Sequence, residues 1–171
     1  MNKTLTDKIS FFIATWFYSG IIPKFAFFPK MPGTWGTILA FLIFYFLPNF
    51  SIQTFSIITV LVFFIGVWAS NNLEKIHGED PQFIVIDEAV GFLVSVIVLP
   101  KSFLLWALGV ALFRLFDIWK PYPIRNFEKF PNGFGVMLDD VIAGVYTNLS
   151  LHILFYFLGN EILKIDSLIP F

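Results

Sequence analysis

The longest uncharged stretch of the chain runs from residue 31 to residue 73, so 43 consecutive positions carry no Asp, Glu, Lys or Arg. Pro48 and Asn49 lie near its middle, where proline removes a backbone donor and asparagine favours a turn. A helix needs about 20 residues to cross a bilayer. The stretch therefore predicts a helical hairpin in a membrane, with arms at residues 34–47 and 52–70.

The composition agrees with a membrane protein. Of the 171 residues, 57% are hydrophobic and 13% are charged, whereas soluble domains carry about 25% charged residues. The mean hydropathy is +0.80. A net charge of −1 argues against a nucleic-acid partner, and the lack of cysteine excludes disulfides, thiolate metal sites and a cysteine nucleophile. We expect one domain over residues 1–171.

Two further helical segments follow the first hairpin. Residues 83–119 predict a second hairpin that turns at Pro100-Lys101, and a fifth helix is expected from about Leu138 to Leu158, with Asp139 and Asp140 in its first turn. Residues 9–22 are apolar and predict an interfacial or re-entrant segment. The expected fold is all-α, a multi-pass membrane bundle of about five short spans plus this N-terminal segment.

Alternating the spans across a membrane separates the basic residues. The connections at residues 20–33, 71–82 and 120–135 fall on one side with six of them, namely Lys24, Lys30, Lys75, Lys120, Arg125 and Lys129. The opposite side receives Lys101 and Lys164. Because basic loops stay inside the cell, the first side is predicted to be cytoplasmic.

The same alternation gathers acidic residues at that side, which are Asp87, Glu88, Asp117, Asp139 and Asp140. Charges within spans are costly and mark functional sites. Capping of helix N-termini would account for Asp139 and Asp140, but Asp117 stands near a helix C-terminus, where a negative charge is unfavourable. Clustered carboxylates repel one another unless a cation lies between them. Oxygen ligands without cysteine predict Mg²⁺, which proteins bind through carboxylates and substrate phosphate.

Basic residues beside the cluster allow two interpretations. Arg114, Asp117 and Lys120 follow one another at intervals of three on a helix face. Arg114 either forms an ion pair with Asp117, or a cation among Arg114, Lys120 and Arg125 binds a phosphate, for which the arginine fork is well suited.

A turn at residues 32–37 also allows two interpretations. It precedes a helix and contains small and hydroxyl residues, among them Gly33, Thr34, Gly36 and Thr37. Free N–H groups at such a helix start form a phosphate cradle, but an ordinary capped turn has the same sequence. Glycines 91 and 144 follow Glu88 and Asp140 on the same helix faces, so another backbone can approach closely there.

Other chemistries fit the sequence less well. His77 and His152 lack the spacing of histidine phosphatases, and no D-x-D-G-T loop or D-G…A-R…D…D alcohol phosphotransferase signature is present.

A small ion or solute transporter and a non-catalytic membrane subunit are the alternatives to an enzyme. Transporter sites lie near the bilayer midplane, whereas this cluster is expected near one face.

Four ordered motifs resemble the phosphatidylglycerophosphatase A family of bacterial membrane enzymes. They are PGTWGT at residues 32–37, DPQFIVIDEAVG at 80–91, FRLFDIWKPYPI at 113–124 and GFGVMLDDVIAG at 133–144. The likeness extends from about residue 14 to residue 158. One departure is a duplicated Pro-Lys at residues 23–24 and 29–30, which leaves both lysines as candidates for contact with substrate.

The resemblance implies a Mg²⁺-dependent hydrolase in the bacterial cytoplasmic membrane, with its site facing the cytoplasm. Its substrate would be phosphatidylglycerophosphate, whose terminal phosphate is removed. The matching positions imply metal ligation by Asp80, Asp87, Glu88, Asp139 and Asp140, and catalysis by Asp87, Glu88, Asp117, Asp139 and Asp140. Substrate binding is implied for Gly33, Thr34, Gly36, Thr37, Arg114 and Lys120. Arg125, which directly follows the third motif, is a further candidate for binding the substrate.

Overall fold

The structure, a computed structural model, describes residues 4–24, 30–78 and 80–168. In these ranges it contains only helices: α1 (Leu5–Ala14), a 3₁₀ helix (Ser19–Lys24), α2 (Pro32–Phe46), α3 (Ile52–His77), α4 (Ile86–Val96), α5 (Phe103–Trp119), α6 (Ile124–Phe127) and α7 (Phe134–Asp166). The expected all-α fold is confirmed.

Local sequence signals start several of these helices. Proline occupies the first turn of α2, where its missing N–H costs nothing. The side chains of Ser51 and Ser102 cap α3 and α5 by accepting hydrogen bonds from the backbone N–H groups of Thr54 and Leu105. Gly133, in the left-handed conformation, directly precedes α7. Turn and cap residues thus set where α2, α3, α5 and α7 begin.

Helix α4 forms the centre of the bundle. Most of its residues are buried, and it packs against α2, α3, α5 and most extensively α7. Its 11 residues span about 16 Å at 1.5 Å per residue, about half of a bilayer core. The first arm of the predicted second hairpin, residues 83–100, therefore contains only a short helix enclosed by the others, and its crossing of a membrane is not confirmed.

The long helices lie outside α4. Helices α3, with 26 residues, and α7, with 33, are long and apolar enough to cross a membrane. Large apolar side chains are exposed along both, including Ile57, Leu61, Phe64, Ile153 and Phe157. With 15 residues in α2 and 17 in α5, both fall short of the usual span of about 20. The structure therefore supports two spans by length, and five full-length spans are not observed.

The N-terminal segment is too short to cross a membrane. Helix α1 has 10 residues, packs against α3 and exposes Leu5, Ile9 and Phe12 along one side. The Val85 N–H donates to the carbonyl of Ala14 over 2.9 Å, which ties the end of α1 to the approach to α4. An interfacial or re-entrant position for residues 9–22 stays a prediction.

Glycines allow α4 and α7 to touch. A Cβ atom at Gly144 would lie 2.4 Å from the carbonyl oxygen of Gly91, and one at Gly91 would lie 2.8 Å from the carbonyl oxygen of Asp140. Both distances are shorter than van der Waals contact, so only glycine fits. The predicted close backbone approach at these glycines is confirmed, and it holds the carboxylates of the two helices side by side.

Candidate active site

A cavity of about 1040 Å³ opens at one end of the bundle. The starts of α2, α4 and α7 and the ends of α3 and α5 surround it, together with the loop between α6 and α7. The predicted convergence of four separate segments is therefore confirmed. The opposite end carries Lys101, whose ammonium donates to the carbonyl of Leu47 in the turn after α2.

Charged side chains dominate the lining. Among the described residues, eight carboxylates face the cavity, those of Glu74, Asp80, Asp87, Glu88, Asp117, Glu128, Asp139 and Asp140. Five cations accompany them, those of Lys30, Lys75, Arg114, Lys120 and Lys129. Eight acidic groups against five basic groups give a net formal charge of −3. A phosphate would be repelled from this cavity unless further cations entered it.

Three carboxylates form a close group in the cavity. Asp87 and Glu88 lie in the first turn of α4, and Asp140 faces them from α7. Each offers an oxygen within 4.8 Å of the others. Only 9% of Asp87 and 3% of Asp140 is exposed. The geometry follows from the glycine contact of the two helices.

Several of these oxygens lack a partner. Within the described part of the chain, Asp87 Oδ1, Glu88 Oε2, Asp139 Oδ1 and Asp140 Oδ2 are buried without a hydrogen bond. An unpaired buried charge costs several kcal/mol, which a bound cation or a proton would offset. Oxygen ligands close together are the donor set that Mg²⁺ prefers. The residues present thus fit a magnesium ion held by Asp87, Glu88 and Asp140.

Gly33 of the 32–37 turn packs directly against this group. A Cβ atom there would lie 1.9 Å from Glu88 Oε1 and 2.6 Å from Arg114 Nη1. The glycine therefore leaves space for an ion pair between Glu88 and Arg114, whose atoms are 3.4 Å apart. A larger residue would displace the carboxylate.

Arg114 of α5 forms ion pairs with a carboxylate on α4 and with one on its own helix. Its Nη1 atom lies 2.5 Å from Asp117 Oδ2 on its own helix and also contacts Glu88 on α4. The ion-pair interpretation of Arg114 is thus confirmed, and the side chain lines the cavity as well. Asp117 is neutralised by this contact, which explains how a carboxylate is tolerated near the end of α5.

Lys120 ends α5 in the left-handed conformation, with φ of 46°. Its ammonium donates to Asp139 Oδ2 over 2.7 Å and to Glu128 Oε1. Burial alone would lower the pKa of Lys120, but Asp139 and Glu128 outweigh it and raise that pKa above its usual value. Lys120 therefore stays a cation across the physiological range.

Helix α7 begins earlier than the sequence predicts. It starts at Phe134, so Asp139 and Asp140 lie in its second turn and not in its first. The prediction of a start near Leu138 was wrong. Capping of the helix N-terminus cannot account for two carboxylates at this depth, since the dipole effect is confined to the first turn.

Asp80 lies at the cavity wall in a loop, with φ of 44°. Its backbone N–H is 3.4 Å from Glu74 Oε1, which connects the loop to α3. Burial raises the pKa of Asp80, while the nearby Lys120 cation opposes the rise. Asp80 is therefore on the Lys120 side of the cavity, apart from the three clustered carboxylates.

Other predicted residues lie outside the lining. Thr37 is buried and donates to the carbonyl of Gly33 over 2.9 Å. Gly36 packs against Val85, and the Thr34 hydroxyl is buried without a hydrogen bond among the described residues. Arg125 is exposed on α6. Of the turn at residues 32–37, only Pro32 and Gly33 line the cavity.

The two Pro-Lys pairs are only partly described. Lys30 lines the cavity, whereas Pro29 and the side chain of Lys24 lie outside the described residues. The sequence reasoning missed Glu74 and Glu128. The spacing of Glu128 from Lys120 gave no signal, because the two meet only after the chain turns back through α6.

The helical fold and the carboxylate-lined cavity define a class, that of all-helical enzymes with a charged site at one end of the bundle. The sequence matches the Phosphatidylglycerophosphatase A family over residues 12–155. The chain belongs to the phosphatidylglycerophosphatase A family of phosphoric monoester hydrolases. Two of its helices, α3 and α7, are long and apolar enough to cross a membrane, which suggests that the enzyme is associated with one.

Three relatives support this membership. A Bacteroides thetaiotaomicron protein, provisionally named a phosphatidylinositol-3-phosphatase, is 40% identical over 86% of this chain and 94% of its own length. Phosphatidylglycerophosphatase A of Escherichia coli K12 is 37% identical over 78% of this chain and 77% of its own length. Phosphatidylglycerophosphatase A of Haemophilus influenzae is 40% identical over 78% of this chain and 81% of its own length. No solved structure matches the chain.

Proposed function

We propose that the protein is a magnesium-dependent phosphatidylglycerophosphatase, which hydrolyses phosphatidylglycerophosphate to phosphatidylglycerol and phosphate. The observation that carries the proposal is the set of four buried, unpartnered carboxylate oxygens in one cavity. Family membership supports the substrate, since two relatives carry that name.

Asp87, Glu88 and Asp140 would hold the cation, because their oxygens lie within 4.8 Å of one another. When bound, magnesium supplies Lewis-acid polarisation of the phosphoryl group and positive charge. The cavity alone has too few cations for an anionic substrate. A magnesium ion held by the three carboxylates would change the net formal charge of the lining from −3 to −1 and would supply positive charge for the phosphate.

The remaining carboxylates differ in what they can do. Asp117 forms an ion pair with Arg114 at 2.5 Å, so we assign it to holding that arginine in place. Asp139 has one oxygen on Lys120 and its Oδ1 atom buried and unpartnered. We assign Asp139 Oδ1 as the atom that accepts the proton of the attacking water.

The substrate carries a phosphodiester and a terminal phosphate, so the site needs cations for both. Arg114 and Lys120 lie deep in the cavity and suit the reacting phosphate. The exposed Lys30 and Lys129 lie at its rim and suit the diester. A contribution from Arg125 stays a prediction, since that residue lies outside the lining.

We further propose that the cavity faces the cytoplasm from a bacterial cytoplasmic membrane. Lys30, Lys75, Lys120 and Lys129 all lie at the cavity end of the bundle, and Lys101 lies at the other. Such an asymmetry supports an inward-facing site. Phosphatidylglycerophosphate would then enter from the inner leaflet.

A direct comparison of substrates tests the proposal. Both phosphatidylglycerophosphate and phosphatidylinositol 3-phosphate are phospholipid monoesters, and a cavity of about 1040 Å³ accommodates either headgroup. Phosphate release from each in mixed micelles should favour phosphatidylglycerophosphate by at least about 10-fold in kcat/KM. The opposite preference would overturn the substrate while leaving the phosphatase chemistry intact.

A further inference from the structure

We propose that Lys120 takes the place of a second divalent cation, so that the site binds one magnesium ion per chain and completes its charge with a side chain. This inference rests on the proposed function, because it concerns how a metal-dependent phosphatase site is assembled. It assigns the number of metals, which family membership does not supply.

Many phosphoryl-transfer sites use two metal ions about 4 Å apart. One ion stabilises the attacking oxygen and the other the leaving oxygen. Carboxylates surround both positions, since Mg²⁺ takes oxygen ligands. A chain with eight carboxylates around one cavity could in principle fill both positions with metal.

The first position is built from Asp87, Glu88 and Asp140. Each has a buried oxygen without a partner, and each offers a carboxylate oxygen within 4.8 Å of those of the other two. Among the described residues, no other group of three acidic, histidine or cysteine side chains meets this spacing. One divalent ion satisfies these oxygens.

The adjacent position already holds a cation. Asp139 directly precedes Asp140 in the chain, and its Oδ2 atom accepts a hydrogen bond from the Lys120 ammonium over 2.7 Å. Glu128 binds the same ammonium, and Asp80 is near enough for Lys120 to act on it electrostatically. The carboxylates that would surround a second metal therefore surround Lys120.

The position of Lys120 is fixed by the fold. Lys120 ends α5 in the left-handed conformation, and its N–H donates to the carbonyl of Phe116 over 2.7 Å. The side chain of Asp139 on α7 is only 8% exposed. An ammonium held at both its backbone and its tip is preorganised for charge that develops on the phosphate.

The number of bound ions tests the inference directly. Mn²⁺ prefers the same oxygen ligands as Mg²⁺ and can be counted by electron paramagnetic resonance on the full chain in detergent. We expect one isolated Mn²⁺ per wild-type chain. Two Mn²⁺ ions with magnetic coupling in the wild type would overturn the role of Lys120, while leaving the metal-dependent function standing.

Variants extend the test. Lys120→Met should bind a second Mn²⁺ close to the first and show magnetic coupling. Lys120→Arg keeps a cation at this position and should bind one Mn²⁺ ion. Lys129→Met removes a different cation from the same cavity and should also bind one Mn²⁺ ion. A single ion in a folded Lys120→Met would contradict the inference. No bound ion in the wild type would overturn the proposed metal dependence and this inference together.

Discussion

Replacing Gly144 by alanine tests how the site is held together. The new Cβ would lie 2.4 Å from the carbonyl oxygen of Gly91, and this backbone atom cannot rotate away. Helices α4 and α7 would have to separate by about 1 Å to restore van der Waals contact. Overpacking of this kind costs about 1–3 kcal/mol, while alanine returns about 1 kcal/mol of helix propensity.

Gly109→Ala is the matched control. Gly109 also lies within a helix, α5, but a Cβ atom added there would meet only side-chain atoms, the nearest of them 3.3 Å away on Val96. We expect Gly144→Ala to be less stable than Gly109→Ala by about 1–3 kcal/mol in equilibrium unfolding in detergent. Its Mn²⁺ affinity should also fall by at least about 10-fold, because Glu88 and Asp140 lie on the separated helices. Equal stability and equal affinity of the two variants would refute the helix contact.

The remaining predictions concern charge and orientation. Asp139→Asn should lower kcat by about 10²–10⁴-fold, whereas Glu161→Gln on the exposed end of α7 should keep wild-type turnover in steady-state assays. Arg114→Ala leaves two carboxylates unpaired and should cost about 3 kcal/mol of unfolding free energy; unchanged stability would contradict the ion pairs. A cysteine at exposed Asn126 should react only with membrane-permeant reagents and one at Asn49 with impermeant ones, and the reverse labelling would place the cavity outside.

The site was predictable because its residues follow helix geometry. Arg114 and Asp117 are three residues apart on α5, and the structure pairs them as the helical repeat requires. Gly91 and Gly144 stand four residues after Asp87 and Asp140, so their close approach also places the carboxylates together. Spacing within one helix carries this information.

Contacts between distant segments were not predictable in this way. Helix α4 is as apolar as a lipid-facing span, and composition alone cannot separate a buried central helix from one in lipid. The Lys120–Glu128 ion pair depends on how the chain returns through α6. Neither feature leaves a periodic signal in the sequence.

The ends of α7 illustrate both cases. Its start could have been predicted, since Pro131, Asn132 and Gly133 form a turn signal immediately before Phe134. Its end was expected near Leu158, but the helix continues to Asp166, whose carboxylate accepts a hydrogen bond from the Leu104 N–H at the start of α5. A tertiary contact thus prolongs a helix past the glycine at 159.

Phosphate release from phosphatidylglycerophosphate, measured before and after metal removal, tests the central claim most directly. The purified full chain in mixed micelles should release phosphate with Mg²⁺, lose this activity in excess EDTA, and recover it when Mg²⁺ is restored. The unpartnered oxygens of Asp87, Glu88 and Asp140 are the basis of this expectation. Undiminished phosphate release in excess EDTA would contradict the account.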